Sequence, residues 1–198
     1  MKTRFSIFIV FICFVFAPSL GYTAAEKWDI DMGHSGIYFD ARHTYATVRG
    51  YFDDFSGTFI TDLKNTNDSR VEFSVNVDSI NTNNTKRDNH LRSADFFDVQ
   101  KYPNMTFKSN RVTHVKGNSY ILEGDLTIKG ITKRTTIPFT YYGVRENPLK
   151  KGQLVAGFEA DFTINRLDYN VGTGKLYKIG AVANEVRIVI ALEVLKEK

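Results

Sequence analysis

From Glu26 onward apolar and polar residues alternate with a period of two, the pattern of strands that bury one face. VEFSVNVDSI (Val71 to Ile80) shows it most plainly: Val71, Phe73, Val75 and Val77 fall on one side, and Glu72, Ser74, Asn76 and Asp78 on the other. The same reading marks strands at Ser35 to His43, Thr47 to Asp62, Met105 to Val112, Ser119 to Gly130, Arg134 to Val144, Leu154 to Arg166 and Asn184 to Leu195. The second of these is long enough to bend, at Gly50 or Gly57. The connections are short and rich in turn formers, such as Lys116, Gly117 and Asn118, or Asn147 and Pro148 with Lys151 and Gly152. No amphipathic helix of 10 to 15 residues lies between strands, so a parallel βαβ sheet is disfavoured.

Strands joined consecutively in this way pair as up-and-down antiparallel neighbours. Closing eight of them into a barrel removes the exposed edges and leaves an interior just able to hold one small ligand. The predicted fold is therefore all-β: an eight-stranded antiparallel barrel. At about 3.3 Å per residue its strands make a tube on the order of 30 Å long, the scale of an extended hydrocarbon chain.

The apolar parity collects Phe39, Phe52, Phe73, Val75, Phe107, Leu126, Ile128, Phe139, Phe158 and Phe162 on the inner face. Periodicity alone fits two arrangements of these side chains, a solid core or the lining of an apolar slot.

One segment breaks the pattern. Asn81 to Phe107 is long, highly charged and not strand-like. Asn83, Asn84 or Thr85 can cap a short helix over Lys86 to Arg92, Ser93 can cap a second turn carrying Phe96 and Phe97, and Pro103 stops any continuation. The segment reads as a helical connector across one mouth of the barrel. Leu91, Phe96 and Phe97 would face the cavity, with Arg87, Asp88, His90 and Arg92 at its rim.

The first 25 residues stand apart. Lys2 and Arg4 precede the apolar run Phe5 to Phe16, and Thr23, Ala24 and Ala25 supply a small-residue cleavage site. Residues 1–25 read as a secretory signal peptide and residues 26–198 as one domain. The run is too short to span a bilayer comfortably, so no stable membrane anchor is expected. Cleavage would remove Cys13, the sole cysteine, and Phe11 and Ile12 before it do not form a lipoprotein site. The exported chain is then left without a disulfide, a thiolate nucleophile or a cysteine zinc site.

Composition completes the exclusions. The 198 residues are 42% apolar, 14% aromatic and 24% charged, which is neither disordered nor collagen-like. Without Lys2 and Arg4 the 26 basic residues fall to 24 against 22 acidic ones, so charge alone specifies no ligand. Lys129, Lys133, Arg134, Lys150 and Lys151 are too sparse for a nucleic-acid track, and none is expected. The four histidines lack HxH, HxxxH and HExxH spacing, so no metal site is predicted, although His34 and His43 sit where strand ends can meet. No GxSxG elbow occurs, and no catalytic residue is predicted; the alternative is an enzyme acting on a lipid-like substrate with Asp88 and His90 as an acid/base pair. A homodimer is an expectation from the frequency of twofold assemblies alone.

RDNHLRSADFFDVQKYPNMTF (Arg87 to Phe107) followed by YILEGDLTIKGITKRTTIPF (Tyr120 to Phe139) resembles the YceI family of exported lipid-binding proteins. WDIDMGHSGIYFDARH, RGYFDDFSGTF, INRLDYNVG and NEVRIVIALEV extend the likeness over Trp28 to Leu195. The resemblance places family motifs on Arg87, Asp88, His90, Leu91, Asp95, Phe96, Phe97, Tyr102, Pro103 and Phe107, and on Gly124, Leu126, Thr127 and Gly130. Tyr169 and Asn170 depart from it, where the family commonly has Phe and Gly. It implies a lipocalin-like barrel in the periplasm with no intrinsic cofactor. The ligand it implies is an isoprenoid or other long-chain lipid, such as a quinone or a fatty-acyl amphiphile, bound for carriage, storage or stress-related scavenging.

Overall fold

Alternation becomes a closed sheet in the computed structural model, which describes residues 26–61, 66 and 69–198. The expected signal peptide, residues 1–25, lies outside the described residues. The strands are β1 (Glu26–Ile30), β2 (Gly36–His43), β3 (Ala46–Phe52), β4 (Phe55–Thr61), β5 (Arg70–Asn76), β6 (Ile80–Asn81), β7 (Asn104–Lys116), β8 (Ser119–Ile128), β9 (Ile131–Glu146), β10 (Gln153–Asn165) and β11 (Val182–Glu197). Neighbours run β1-β4-β5-β7-β8-β9-β10-β11, and β1 also pairs with β11, which closes a ring of eight antiparallel strands. Trp28 stands opposite Phe59 on one side of the closure, and Ile30 opposite Val194 on the other.

Strands β2 and β3 continue β1 and β4 beyond two bends and pair with each other, and β2 also pairs with β11. At the first bend the Asp31 amide donates to the Glu193 carbonyl, while the Glu193 amide donates to the Ser35 hydroxyl. The second bend falls at Asp53 and Asp54, not at Gly50 or Gly57 as the sequence suggested. Ser79 decides it: its carbonyl accepts from the Asp53 amide and its hydroxyl from the Asp54 amide, so the 3-10 turn Val77–Ser79 holds the chain where it turns. Gly50 and Gly57 stay in regular strand because they serve neighbouring rings, as described below.

The connector contains a helix, α1 (Thr85–Arg92), and Asn84 caps it by accepting from the Arg87 amide. Arg92 fastens α1 to the barrel by donating to the Asp78 and Ile80 carbonyls, each at 2.7 Å. Ser93 terminates α1, and its carbonyl accepts from the Phe96 and Asp98 amides to form tight turns. The Lys129 ammonium, on the β8–β9 turn, reaches the Ala94 and Phe96 carbonyls, so the connector is tied across this end of the barrel. Strand β1 and a one-turn helix α2 (Gly174–Lys178) were not evident from alternation. Leu176 of α2 packs inward with Phe96, Ile128, Tyr169 and Val171.

The opposite end is a packed floor. Trp28, Ala156 and Val194 are buried there with Phe59, Phe158 and Leu192. Ring centroids run from Tyr120 to Phe139 at 5.3 Å, Phe139 to Phe158 at 6.2 Å, Phe158 to Phe59 at 5.6 Å and Phe59 to Phe73 at 5.3 Å. Stacked, tilted and edge-on contacts at such spacings are favourable, and they lock the rings in place.

Candidate functional site

Above that floor the barrel is hollow. A cavity of about 240 Å³ is lined by apolar and aromatic side chains, with Thr61, Thr106, Glu159 and Arg166 as the other contributors. An apolar cavity of about 150 Å³ is already known to stay dry and admit benzene, so this space accepts a larger apolar group. Phe73, Leu122, Leu126, Phe139 and Phe162 face inward yet are only half-buried, because they front this lumen.

Glycines explain why so many aromatic rings leave a void. Phe39 stands opposite Gly50, and Phe73 opposite Gly57. A Cβ at Gly50 would come within 2.3 Å of the Phe39 ring, and one at Gly124 within 2.4 Å of the Phe107 ring. Each ring lies flat on bare neighbouring backbone and stays on the wall, where a side chain on the neighbouring strand would push it into the lumen.

Phe39, Phe52, Phe73, Val75, Leu91, Phe96, Phe97, Phe107, Leu126, Ile128, Phe139, Phe158 and Phe162 all contribute to the lining of this one cavity. The sequence reading omitted Ile188, Ile190 and Leu192 on β11, although their alternation in NEVRIVIALEV carries the same signal. It also omitted Tyr169 and Val171, which lie on a return segment with no periodicity. Asn170 between them adopts φ 54°, a left-handed conformation that Asn tolerates where a glycine would be free to sit.

Arg87, Asp88 and His90 do not line the cavity. Asp88 is buried and accepts from the Thr82 amide at 3.0 Å and from its hydroxyl; Arg87 donates to the Thr82 hydroxyl and carbonyl at 2.7 Å each. These bonds fix the start of the connector. His90 is exposed, lies 3.3 Å from Asp95 and stands edge-on to Phe96. The acid/base pair of the catalytic alternative is therefore not assembled: Asp88 and His90 serve different partners on one helix.

Arg166 was missed by sequence reasoning and is the buried cation of the lining. Its guanidinium donates to the Ala183 carbonyl at 2.8 Å, to Val171 at 2.7 Å and to Val182 at 3.3 Å, with no carboxylate in ion-pair range among the described residues. Burial holds its pKa below the usual arginine range.

His34 precedes the start of β2 and His43 ends it, so the two do not meet. Instead His34 pairs with Asp31 at 2.9 Å, and Asp31, His34 and Glu193 bring one ligand-capable atom each to within 4.8 Å of one another at the first bend. The hydrogen bond to the Asp31 carboxylate raises the His34 pKa, while His34 lowers that of Asp31. The charged pair thus stabilises the fold between the two unfolded-state values, about 3.9 for Asp and 6.5 for His. Its contribution is lost as pH rises through the raised His34 value or falls through the lowered Asp31 value. In an NMR titration His34 should titrate above the ordinary histidine midpoint, and Asp31→Asn should return it there; an unchanged midpoint would remove the pair as the cause.

Fold and site define a class: a closed antiparallel β-barrel with an apolar lumen, a packed floor and a helical strap over the other end. Comparisons with known proteins agree. Residues 28–194 match the YceI-like domain, and the chain belongs to the YceI family. It is 36% identical to the protein YceI of Escherichia coli over 96% of both chains, and 37% identical to a UPF0312 protein of Pectobacterium atrosepticum over 88% of both. Among solved structures it is similar to Burkholderia cenocepacia BcnA, with a TM-score of 0.74 and 28% identity over 83% of this chain and 99% of that one. The Campylobacter jejuni YceI protein gives a TM-score of 0.68 at 25% identity over 79% and 90%. A polyisoprenoid-binding domain of Saccharophagus degradans shares the fold, with a TM-score of 0.59 at 15% identity over 87% and 98%. Among the described residues no helix is long and apolar enough to cross a membrane.

Proposed function

We propose that the protein binds the chain of a long amphiphile, an isoprenoid, quinone or fatty-acyl lipid, in the barrel lumen and acts in the periplasm as its carrier, store or scavenger. The thirteen lining residues predicted from the sequence are the proposed contact surface. The observation that carries this reading is the apolar cavity itself, walled by rings held flat on glycines. The polyisoprenoid-binding domain of similar fold supports it.

Burial of the chain supplies the affinity, at about 0.8 kcal/mol per methylene removed from water, offset in part by the cost of ordering it. Delipidated protein titrated with prenyl alcohols or fatty acids of increasing length should gain affinity by up to about fourfold per methylene, then plateau once the lumen is full. Affinity independent of chain length would refute the reading.

A further inference from the structure

The end of the barrel that carries the strap also presents apolar side chains to solvent. Tyr45, at the tip of the β2–β3 hairpin, is 89% exposed; Ile179 and Tyr177, at the end of α2, are 68% and 52% exposed. The Thr44 amide donates to the Ala181 carbonyl, so hairpin and α2 segment are held side by side. Exposed single apolar residues are ordinary, but three grouped on adjoining turns at one end call for a partner.

Charge indicates which partner. Arg42, Lys175 and Lys178 are exposed on the same two segments, and residues 41–49 and 169–184 contain no Asp or Glu. The bordering acids are Asp40, 2.9 Å from Arg49, Asp168, 3.5 Å from Lys133, and the exposed Glu185. Tyrosines and an isoleucine ringed by cations suit the interface of an anionic bilayer, where the rings enter the headgroup layer and the cations meet the negative surface.

Lumen-lining residues and an unpaired strand edge lie beside this patch. Among the described residues strand β3 pairs beyond β2 only with the two-residue β6, through Tyr51 and Phe52, so the edge from Ala46 to Arg49 has no described strand neighbour on that side. Ala41 and Val182, which line the lumen, stand directly behind the hairpin and α2.

We propose that the β2–β3 hairpin and the α2 segment dock the protein on an anionic lipid bilayer, setting the open β3 edge against the membrane. The purpose of docking rests on the lipid-binding reading, because a chain can then pass between bilayer and lumen without crossing water. The geometry of docking does not depend on it.

The test is flotation of the purified protein with phosphatidylcholine vesicles, with and without phosphatidylglycerol. Binding is expected to require phosphatidylglycerol and to weaken with salt. Lys175→Ala with Lys178→Ala should weaken it roughly thirtyfold, at ~1 kcal/mol per cation near the surface. Tyr45→Ser with Ile179→Ser should weaken it at unchanged charge. Leu149→Ser, which alters a 90% exposed side chain on the β9–β10 turn at the opposite end, should leave it unchanged. Failure to float while prenyl-chain binding persists overturns the docking and spares the lumen reading. Flotation without any prenyl-chain binding does the reverse. Equal flotation of the patch variants and the parent also overturns the docking.

Discussion

Arg166→Ala is expected to lower the stability of the barrel by about 3 kcal/mol or more, since it strips donors from three carbonyls and an unsatisfied buried acceptor costs ~1–3 kcal/mol. The guanidinium joins three places that are distant along the chain or irregular: Val171 on the return from β10, and Val182 and Ala183 at the start of β11. It also lies beneath Gly172, where a Cβ would come 2.7 Å from a guanidinium nitrogen and 2.9 Å from the Phe96 ring. Removing it therefore loosens the wall of the lumen and its contact with the strap together. For a domain of this size the loss corresponds to a fall in Tm of about 6–12 °C, readable by calorimetry. Arg166→Lys should recover only part of it, because one ammonium cannot span three separated carbonyls. A fall under about 2 °C would show that water replaces the guanidinium at little cost.

How much of this was legible in the sequence depended on the range of the interaction. Alternation is local, so the strands, their antiparallel order and the inward parity of residues such as Phe73 and Leu126 could be read directly. Helix α1 was legible because its cap, Asn84, lies beside it. The two bends were not, because Ser35 and Ser79 set them by bonding to Glu193 and to Asp53 and Asp54, far away in sequence. Strand β1 escaped because Glu26–Ile30 has a single buried residue, Trp28, too few for a period to show. Arg166 escaped because the carbonyls that solvate it are gathered only when the chain returns through α2. Asp88 was noticed for its charge, yet its partner, Thr82, makes it a structural tie at the root of the strap.

The choice between a solid core and a hollow one was the least legible feature, since it turns on register. Phe39 and Gly50 are both visible in the sequence, but not that they face each other across β2 and β3. This makes Gly50→Ala the sharpest probe of the lumen. The added methyl would lie 2.3 Å from the Phe39 ring and 2.9 Å from the Asn81 carbonyl, so the ring must leave the wall for the cavity. Overpacking of this kind costs about 1–3 kcal/mol of stability. Affinity should fall further than stability alone suggests: if the ring takes the room of three methylenes, ~2.4 kcal/mol is lost, roughly fiftyfold in Kd. The plateau in the chain-length series should then arrive at a shorter chain. Combining Gly50→Ala with Phe39→Leu removes the conflict with the ring, while the contact with the Asn81 carbonyl still costs stability, and should restore much of the affinity, a strongly non-additive pair in a double-mutant cycle. If Gly50→Ala alone kept the full affinity and the original plateau, the flat ring would not be what keeps the barrel open.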